Sequence, residues 1–236
     1  MLARLRGLLY PRSQRMRRLR HPSLDGLLGT RPVSERWGWD RGKPVDRYYI
    51  EQFLAEHAAD VRGRMLEVKA SEYSRQYDRG ATRMDVLDLD PSNPSATIVA
   101  DLAVGEGIPA GAFDCFVVTQ TLQLIYDVRA AIVQCHRLLA PGGVLLATVP
   151  VVSRIVHDDG LEWDYWRFTG ASCRRLFGDV FGAQQVSVRT WGNVLAGVAF
   201  LRGTAYQEIP RRKLDAHDPY FPILVTVRAV KEGVRG

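Results

Sequence analysis

A chain of 236 residues is long enough for one large domain or two small ones with a sizeable core. Apolar residues at 46% and charged residues at 25% are ordinary globular values and exclude wholesale disorder. No apolar run approaches the roughly 20 residues of a membrane-spanning helix, and the longest candidate, Val194 to Leu201, is far too short.

The net charge of +6 is concentrated at the start. Residues 1–47 hold eleven arginines and Lys43 against Asp25, Glu35, Asp40 and Asp46, so the rest of the chain is slightly acidic. An acidic body argues against nucleic acid as the main partner, and the basic stretch reads as a solvated or partner-covering arm, with an RNA- or membrane-surface contact as the alternative. Met1 to Arg20 has no continuous apolar stretch, so a secretory signal is not expected. Cys115, Cys135 and Cys173 are odd in number and widely spaced, which excludes a disulfide framework and points to a reducing, cytoplasmic setting.

Residues 1–44 are broken by Pro11, Pro22, Pro32 and Pro44 and read as an irregular arm or lid. Trp37 and Trp39 lie within it, and side chains of that size call for burial on the body or in a homodimer. From Val45 onward, residues 45–236 read as one domain. Ile50, Phe53, Leu54, His57 and Val61 mark one face of a helix, with His57 packed in the core. Strands follow at Arg64–Val68, Val86–Asp90, Thr97–Ala100 and Phe113–Thr119, the last nearly continuous in apolar residues, as in a strand covered on both faces. Asp127 caps a helix striped by Val128, Ala131, Ile132, Cys135, Leu138 and Leu139, and Pro141-Gly142-Gly143 stops it before a fifth strand, Val144–Val149. Thr169 caps a further helix, Val186, Val188 and Thr190 alternate as a half-exposed strand, and Ile223–Val230 is the last strand. This alternation predicts an α/β, Rossmann-like, doubly wound sheet of seven mostly parallel strands.

In such sheets ligands bind beyond the carboxyl ends of the strands. The residues there are Glu67, Asp90, Asp101 and Thr119-Gln120-Thr121. Asp90 follows Glu67 at close to the roughly 20-residue spacing at which an acid meets a ribose diol. Each acid alone is equally at home in a turn or cap.

The stretch FDCFVVTQTLQLIYD through HRLLAPGGVLLATVP, with MLEV before it and DYWRFT (Asp164–Thr169) after it, resembles the class I S-adenosylmethionine-dependent methyltransferases, particularly the small "type 11" group. The resemblance covers roughly residues 45–230 and implies S-adenosylmethionine as cofactor and S-adenosylhomocysteine as product. It assigns Glu67 and Val68 to the first cofactor motif, Asp90 to the ribose, Asp101 and Leu102 to the adenine and Gln120 to a polar position near cofactor and substrate. The chain departs from the family where a glycine-rich loop should follow Val68. It has Lys69-Ala70-Ser71-Glu72-Tyr73, so either Ala70 and Ser71 supply donors or the cofactor site has degenerated into a non-catalytic interaction module.

Methyl transfer to a hydroxyl needs a positioned acceptor and a base. The loop after the fifth strand offers His157, Asp158, Asp159, Glu162 and Asp164, with Trp163, Tyr165 and Trp166 available to stack on a flat or sugar-like acceptor. His157 is the preferred base because imidazole titrates near neutral pH, with Asp159 and Asp164 next; equally, these are polar residues of a lid. The three neighbours His157, Asp158 and Asp159 also suit a divalent cation such as magnesium. His217 in HDPY reads most simply as part of a turn. By family analogy the acceptor is a hydroxyl of a sugar-like or natural-product small molecule. The other reading is an RNA methyltransferase that clamps phosphate with the basic arm.

Overall fold

The computed structural model describes residues 29–156 and 162–233. Helix α1 (Val45–Glu56) leads into β1 (Gly63–Val68), a short helix α2 (Glu72–Gln76), β2 (Ala81–Asp88) and a two-residue β3 (Ile98–Val99). Strand β4 (Phe113–Thr119), helix α3 (Val128–Leu138), β5 (Leu139–Pro150) and α4 (Gly170–Phe181) complete the regular alternation. Then come β6 (Val186–Trp191), α5 (Val194–Arg202), a four-residue α6 (Arg211–Leu214) and β7 (Leu224–Val230). The seven strands lie in the order β3-β2-β1-β4-β5-β7-β6. All pairs are parallel except those of β7, which runs antiparallel to both β5 and β6.

The sheet is covered on both faces because alternate side chains of its central strands point opposite ways. Leu66, Phe116, Val118, Leu145 and Val227 share one core with Ile132 and Leu138 of α3 and Phe177 of α4. Met65, Cys115, Val117, Leu146 and Leu224 share the other with Tyr49, Ile50 and Leu54 of α1 and Phe200 of α5. The three cysteines are buried and unbridged. Asp127 caps α3 by accepting the Ala130 N–H at 3.0 Å, and Thr169 caps α4 by accepting that of Ser172 at 3.1 Å.

Three boundaries differ from expectation. β2 begins at Ala81 and ends at Asp88, so Asp90 lies beyond the strand in a turn. Pro141-Gly142-Gly143 falls inside β5 as a break in register between Phe113↔Leu139 and Cys115↔Val144, rather than ahead of the strand. His57 is the C-terminal cap of α1, half-buried, with its ring edge-on to Phe53 at 4.9 Å.

The described part of the arm is docked. Arg202 Nη1 donates to the carbonyls of Gly29 and Arg31 at 2.7 Å, and Arg41 pairs with Glu208 at 2.8 Å. Gly38 and Gly203, both at positive φ, permit the approach: a Cβ on Gly203 would sit 2.2 Å from the Ser34 carbonyl oxygen. Trp37 packs against the α1/α5 core, whereas Trp39 remains 44% exposed on this chain.

Candidate active site

Strand order reverses direction between β1 and β4, and the loops leaving these strands define the crevice where ligands of such sheets bind. Glu67 and Val117 are register partners at its floor. Glu67 is 4% exposed, and its two carboxylate oxygens accept the N–H groups of Tyr73 at 3.1 Å and Ser74 at 2.7 Å, in the first turn of α2. Burial raises its pKa, and these N–H bonds oppose the rise. Glu67 therefore acts on the loop: it ties α2 to the end of β1 and fixes the path of residues 69–73 between them.

That path answers the missing glycines. Lys69 has φ +73°, the left-handed conformation that glycine adopts without cost. Its N–H donates to the Leu87 carbonyl at 2.8 Å, and its own carbonyl accepts Asn93 Nδ2 at 2.8 Å. The turn forms here without a glycine, and the Lys69 side chain is exposed. Ser71 precedes α2 and accepts Arg75 Nε at 3.0 Å. Val68 packs at the edge of the α3/α4 core.

Next to this loop stand two acids, not one. Asp88 ends β2 and accepts the Asp90 N–H at 3.1 Å and Asn93 Nδ2 at 2.6 Å. Asp90 accepts the Ser92 N–H at 2.8 Å, which holds its carboxyl below the ordinary range. Asn93 thus links the β1 loop to the β2 end. Asp88 was not singled out from sequence because Asp-Leu-Asp offers two candidates, and only the strand boundary tells them apart. Asp101 turns the chain after β3 by accepting the Ala103 N–H at 2.7 Å, and Leu102 is buried in the α3/α4 core.

On the β4 side, Gln120 has φ +49° and donates its N–H to Thr148 of β5 at 3.0 Å. Gln123, three residues on, donates Nε2 to the Gln120 carbonyl at 2.8 Å. Its own carbonyl accepts the N–H groups of Tyr165 at 2.9 Å and Trp166 at 3.2 Å, which joins the β4 end to the segment after β5. Its Oε1 is buried without a hydrogen-bond partner among the described residues.

Aromatic rings line that junction. Tyr126, 71% exposed, meets Tyr165 edge-on at 5.3 Å and stacks with Trp166 at 6.2 Å. The Trp166 indole N–H donates to the carbonyls of Ile125 and Tyr126, so this ring is fixed as part of the wall, with Trp163 exposed nearby in sequence. Tyr126 was not foreseen, since a single tyrosine ahead of a helix cap carries no periodic signal.

Of the three candidate bases, His157 and Asp159 lie outside the described residues. Asp164 is engaged on both oxygens, by Arg167 at 2.5 Å and by the Val156 N–H at 3.0 Å. Burial works to raise its carboxyl, but Arg167 and that N–H prevail and hold it below the ordinary range. A carboxylate so held is a weak proton acceptor and a good brace for the segment around it. Among the described residues no cluster of three or more His, Cys, Asp or Glu is placed to hold a metal. His217, 3.1 Å from Thr190 Oγ1, lines a 170 Å³ cavity with Tyr49, Arg189 and Trp191 at the β6 edge, three strands from β4.

The sequence profile of the methyltransferase domain family matches residues 32–182. The chain belongs to that family. It is a class I S-adenosylmethionine-dependent methyltransferase, and the match begins inside the stretch read as an arm. A search of curated proteins gives no match. Among solved structures, the Burkholderia thailandensis 1,6-didemethyltoxoflavin-N1-methyltransferase, with its substrate and S-adenosylhomocysteine bound, is similar at 15% identity over 82% of this chain and 80% of that one, with a TM-score of 0.50. The Haemonchus contortus phosphoethanolamine N-methyltransferase 2 is similar at 13% identity over 85% of this chain and 60% of that one, also with a TM-score of 0.50. At these identities the likeness is one of fold.

Proposed function

We propose that this methyltransferase acts on a hydroxyl of a small sugar-like or natural-product acceptor laid against the aromatic wall of Tyr126, Tyr165 and Trp166. The observation that carries this reading is the wall itself: the Tyr126 ring in contact with Tyr165 and with Trp166, whose indole N–H is held by backbone carbonyls, at the junction of the β4 and β5 ends. Aromatic faces of this kind suit a flat or sugar-like ring.

The residues present fit the cofactor. The left-handed turn at Lys69 keeps backbone, rather than side chain, at the β1 end. Asp90 is ionised and solvent-facing, as acceptance of two ribose hydroxyls requires, with Asp88 beside it. Gln120 and the turn at Asp101 and Leu102 complete the lining expected of the family, and Gln123 Oε1, without a partner among the described residues, is a buried acceptor able to take a donor. When bound, S-adenosylmethionine supplies an activated sulfonium methyl group. The chain's task is then to orient the acceptor, exclude water and take one proton from the hydroxyl. His157 is proposed for that proton, with Asp159 as its alternative. Asp164 braces the segment through Arg167 and Val156.

The test is a screen of labelled cofactor against hydroxylated and amine acceptors, with and without a chelator. Transfer to hydroxyl compounds and a loss of about 10²–10⁴-fold in turnover for His157→Ala at unchanged cofactor affinity are expected. Transfer to amines alone would replace the oxygen reading. Chelator-sensitive turnover would add a divalent cation.

A further inference from the structure

Helix α5 is apolar all round, a composition that belongs in a core. Ala196, Ala199 and Phe200 do face the core, but Val194, Leu195, Val198 and Leu201 face water along the other side, with Val194 51% exposed. Spacings of three and four join them into one stripe. The stripe is bracketed at both ends. At its first turn, Asn193 Nδ2 donates to the Lys213 carbonyl at 2.8 Å, which seats α6 there with Arg211, Arg212 and Lys213 exposed. The Asp218 N–H donates to the Gly192 carbonyl in the same place, carrying Tyr220, 87% exposed, and Phe221 alongside. At the last turn, Arg202 holds the carbonyls of Gly29 and Arg31, so the cations of Arg202 and of the exposed Arg31 stand at this end of the stripe.

An aliphatic stripe with exposed aromatics, flanked at both ends by cations, points to one kind of partner. We propose that α5, the Tyr220–Phe221 loop and the basic residues on either side form a surface that docks on an anionic lipid bilayer. The apolar side chains would enter the headgroup boundary, and the cations would meet lipid phosphates. A second copy of this chain fits less well, because an isologous contact would bring two sets of cations together. A nucleic acid has no use for Val194, Leu195, Val198 and Leu201. Of the neighbouring acids, Glu208 is paired with Arg41, while Asp215 and Asp218 keep their charge under hydrogen bonds from the Tyr48 hydroxyl and the Tyr220 N–H, so Arg211, Arg212 and Lys213 outnumber the unpaired acids at that end by one.

The experiment is flotation of the full-length protein with vesicles of phosphatidylcholine alone or mixed with phosphatidylglycerol. The protein should float with the anionic vesicles only, and less so as salt rises. Val198→Asp with Leu201→Asp should abolish flotation, while Val133→Asp, an exposed apolar position on α3 across the sheet, should leave it intact. Replacing Arg211, Arg212 and Lys213 by glutamine should weaken partitioning by about 100-fold, at roughly fivefold for each cation. Equal recovery on neutral and anionic vesicles, or flotation insensitive to Val198→Asp with Leu201→Asp, would overturn the proposal. So would a dimer in light scattering that depends on Val198 and Leu201 in a protein that does not float, or binding to an RNA oligonucleotide in preference to the vesicles.

Discussion

Lys69→Gly is the substitution that most directly probes how this enzyme manages without a glycine-rich loop. A non-glycine residue in the left-handed region costs about 1–2 kcal/mol, and glycine removes that cost. Against it stands the greater freedom of glycine in the unfolded chain, about 0.4–1 kcal/mol. The Lys69 side chain is exposed, and both backbone hydrogen bonds, to Leu87 and from Asn93, survive the change. The balance is a stabilisation of about 0.5–1 kcal/mol, which for a chain of this size raises Tm by roughly 2 °C. Removing the Cβ also widens the approach to the β1 end, so S-adenosylhomocysteine should bind at least as tightly. Lys69→Val is the opposing control, since a β-branched residue is poorly tolerated at φ +73° and should destabilise by more than about 1 kcal/mol. Thermal unfolding and calorimetry read both effects. A fall in Tm of more than about 2 °C for Lys69→Gly, or weaker binding, would show that the lysine side chain holds the turn or the ligand and that the strain argument is wrong.

Asp90→Ala should weaken S-adenosylhomocysteine about tenfold with no change in Tm, and calorimetry that finds equal affinity would move the ribose to Asp88. Asp164→Asn removes charge from a carboxylate whose folded pKa is depressed, so wild-type stability from this group is present above the ordinary carboxylate value near 3.9 and is lost as pH falls through the lower folded value. The variant should be less stable by about 2 kcal/mol at neutral pH, and the difference should shrink below pH 4 in acid titrations followed by circular dichroism. Phe116→Ala, at a fully buried ring in the centre of β4, should cost about 3–5 kcal/mol and lower Tm by roughly 10 °C, measured by calorimetric unfolding.

The parts of the fold legible in the sequence were those where one physical signal dominates. Phe113–Thr119 matches β4 because a strand covered on both faces must be apolar throughout, and α3 matches because its stripe and its Asp127 cap agree. The first half of β2 was missed because Thr82 and Arg83 are exposed, so no burial pattern marks their backbone pairing with β1. The strand-end acids were found as a set, yet their roles were not separable. Glu67 is turned inward to the amides of α2, whereas Asp90 faces solvent, and both read from sequence as an acid near a strand end. Lys69 was invisible in a different way: residue type argues against the left-handed turn that the surrounding hydrogen bonds impose.

The arm shows how far apart in sequence the parts of one site can be. Trp37 takes φ +55°, a costly backbone for a bulky residue, and is held there by Gly38 donating to Ser34 Oγ at 3.1 Å and by packing on the α1/α5 core. The guanidinium of Arg154, in the segment that follows β5, lies 3.4 Å over the same indole. That contact is a cation–π pair of the kind worth about 0.5–2 kcal/mol. The segment is fixed from its other side by Asp164, which accepts the Val156 N–H and grips Arg167, while Gln123 holds Tyr165 and Trp166 against the β4 end. Three elements therefore converge on the stretch between β5 and α4: the arm through Trp37, the β4 end through Gln123, and the stretch's own Asp164–Arg167 pair. A wall built on a loop is precise only if neighbours lock it, and these are the locks. The described part of the arm is thus one of the locks on the stretch between β5 and α4, and its first residues, Gly29 and Arg31, are held by Arg202 of α5.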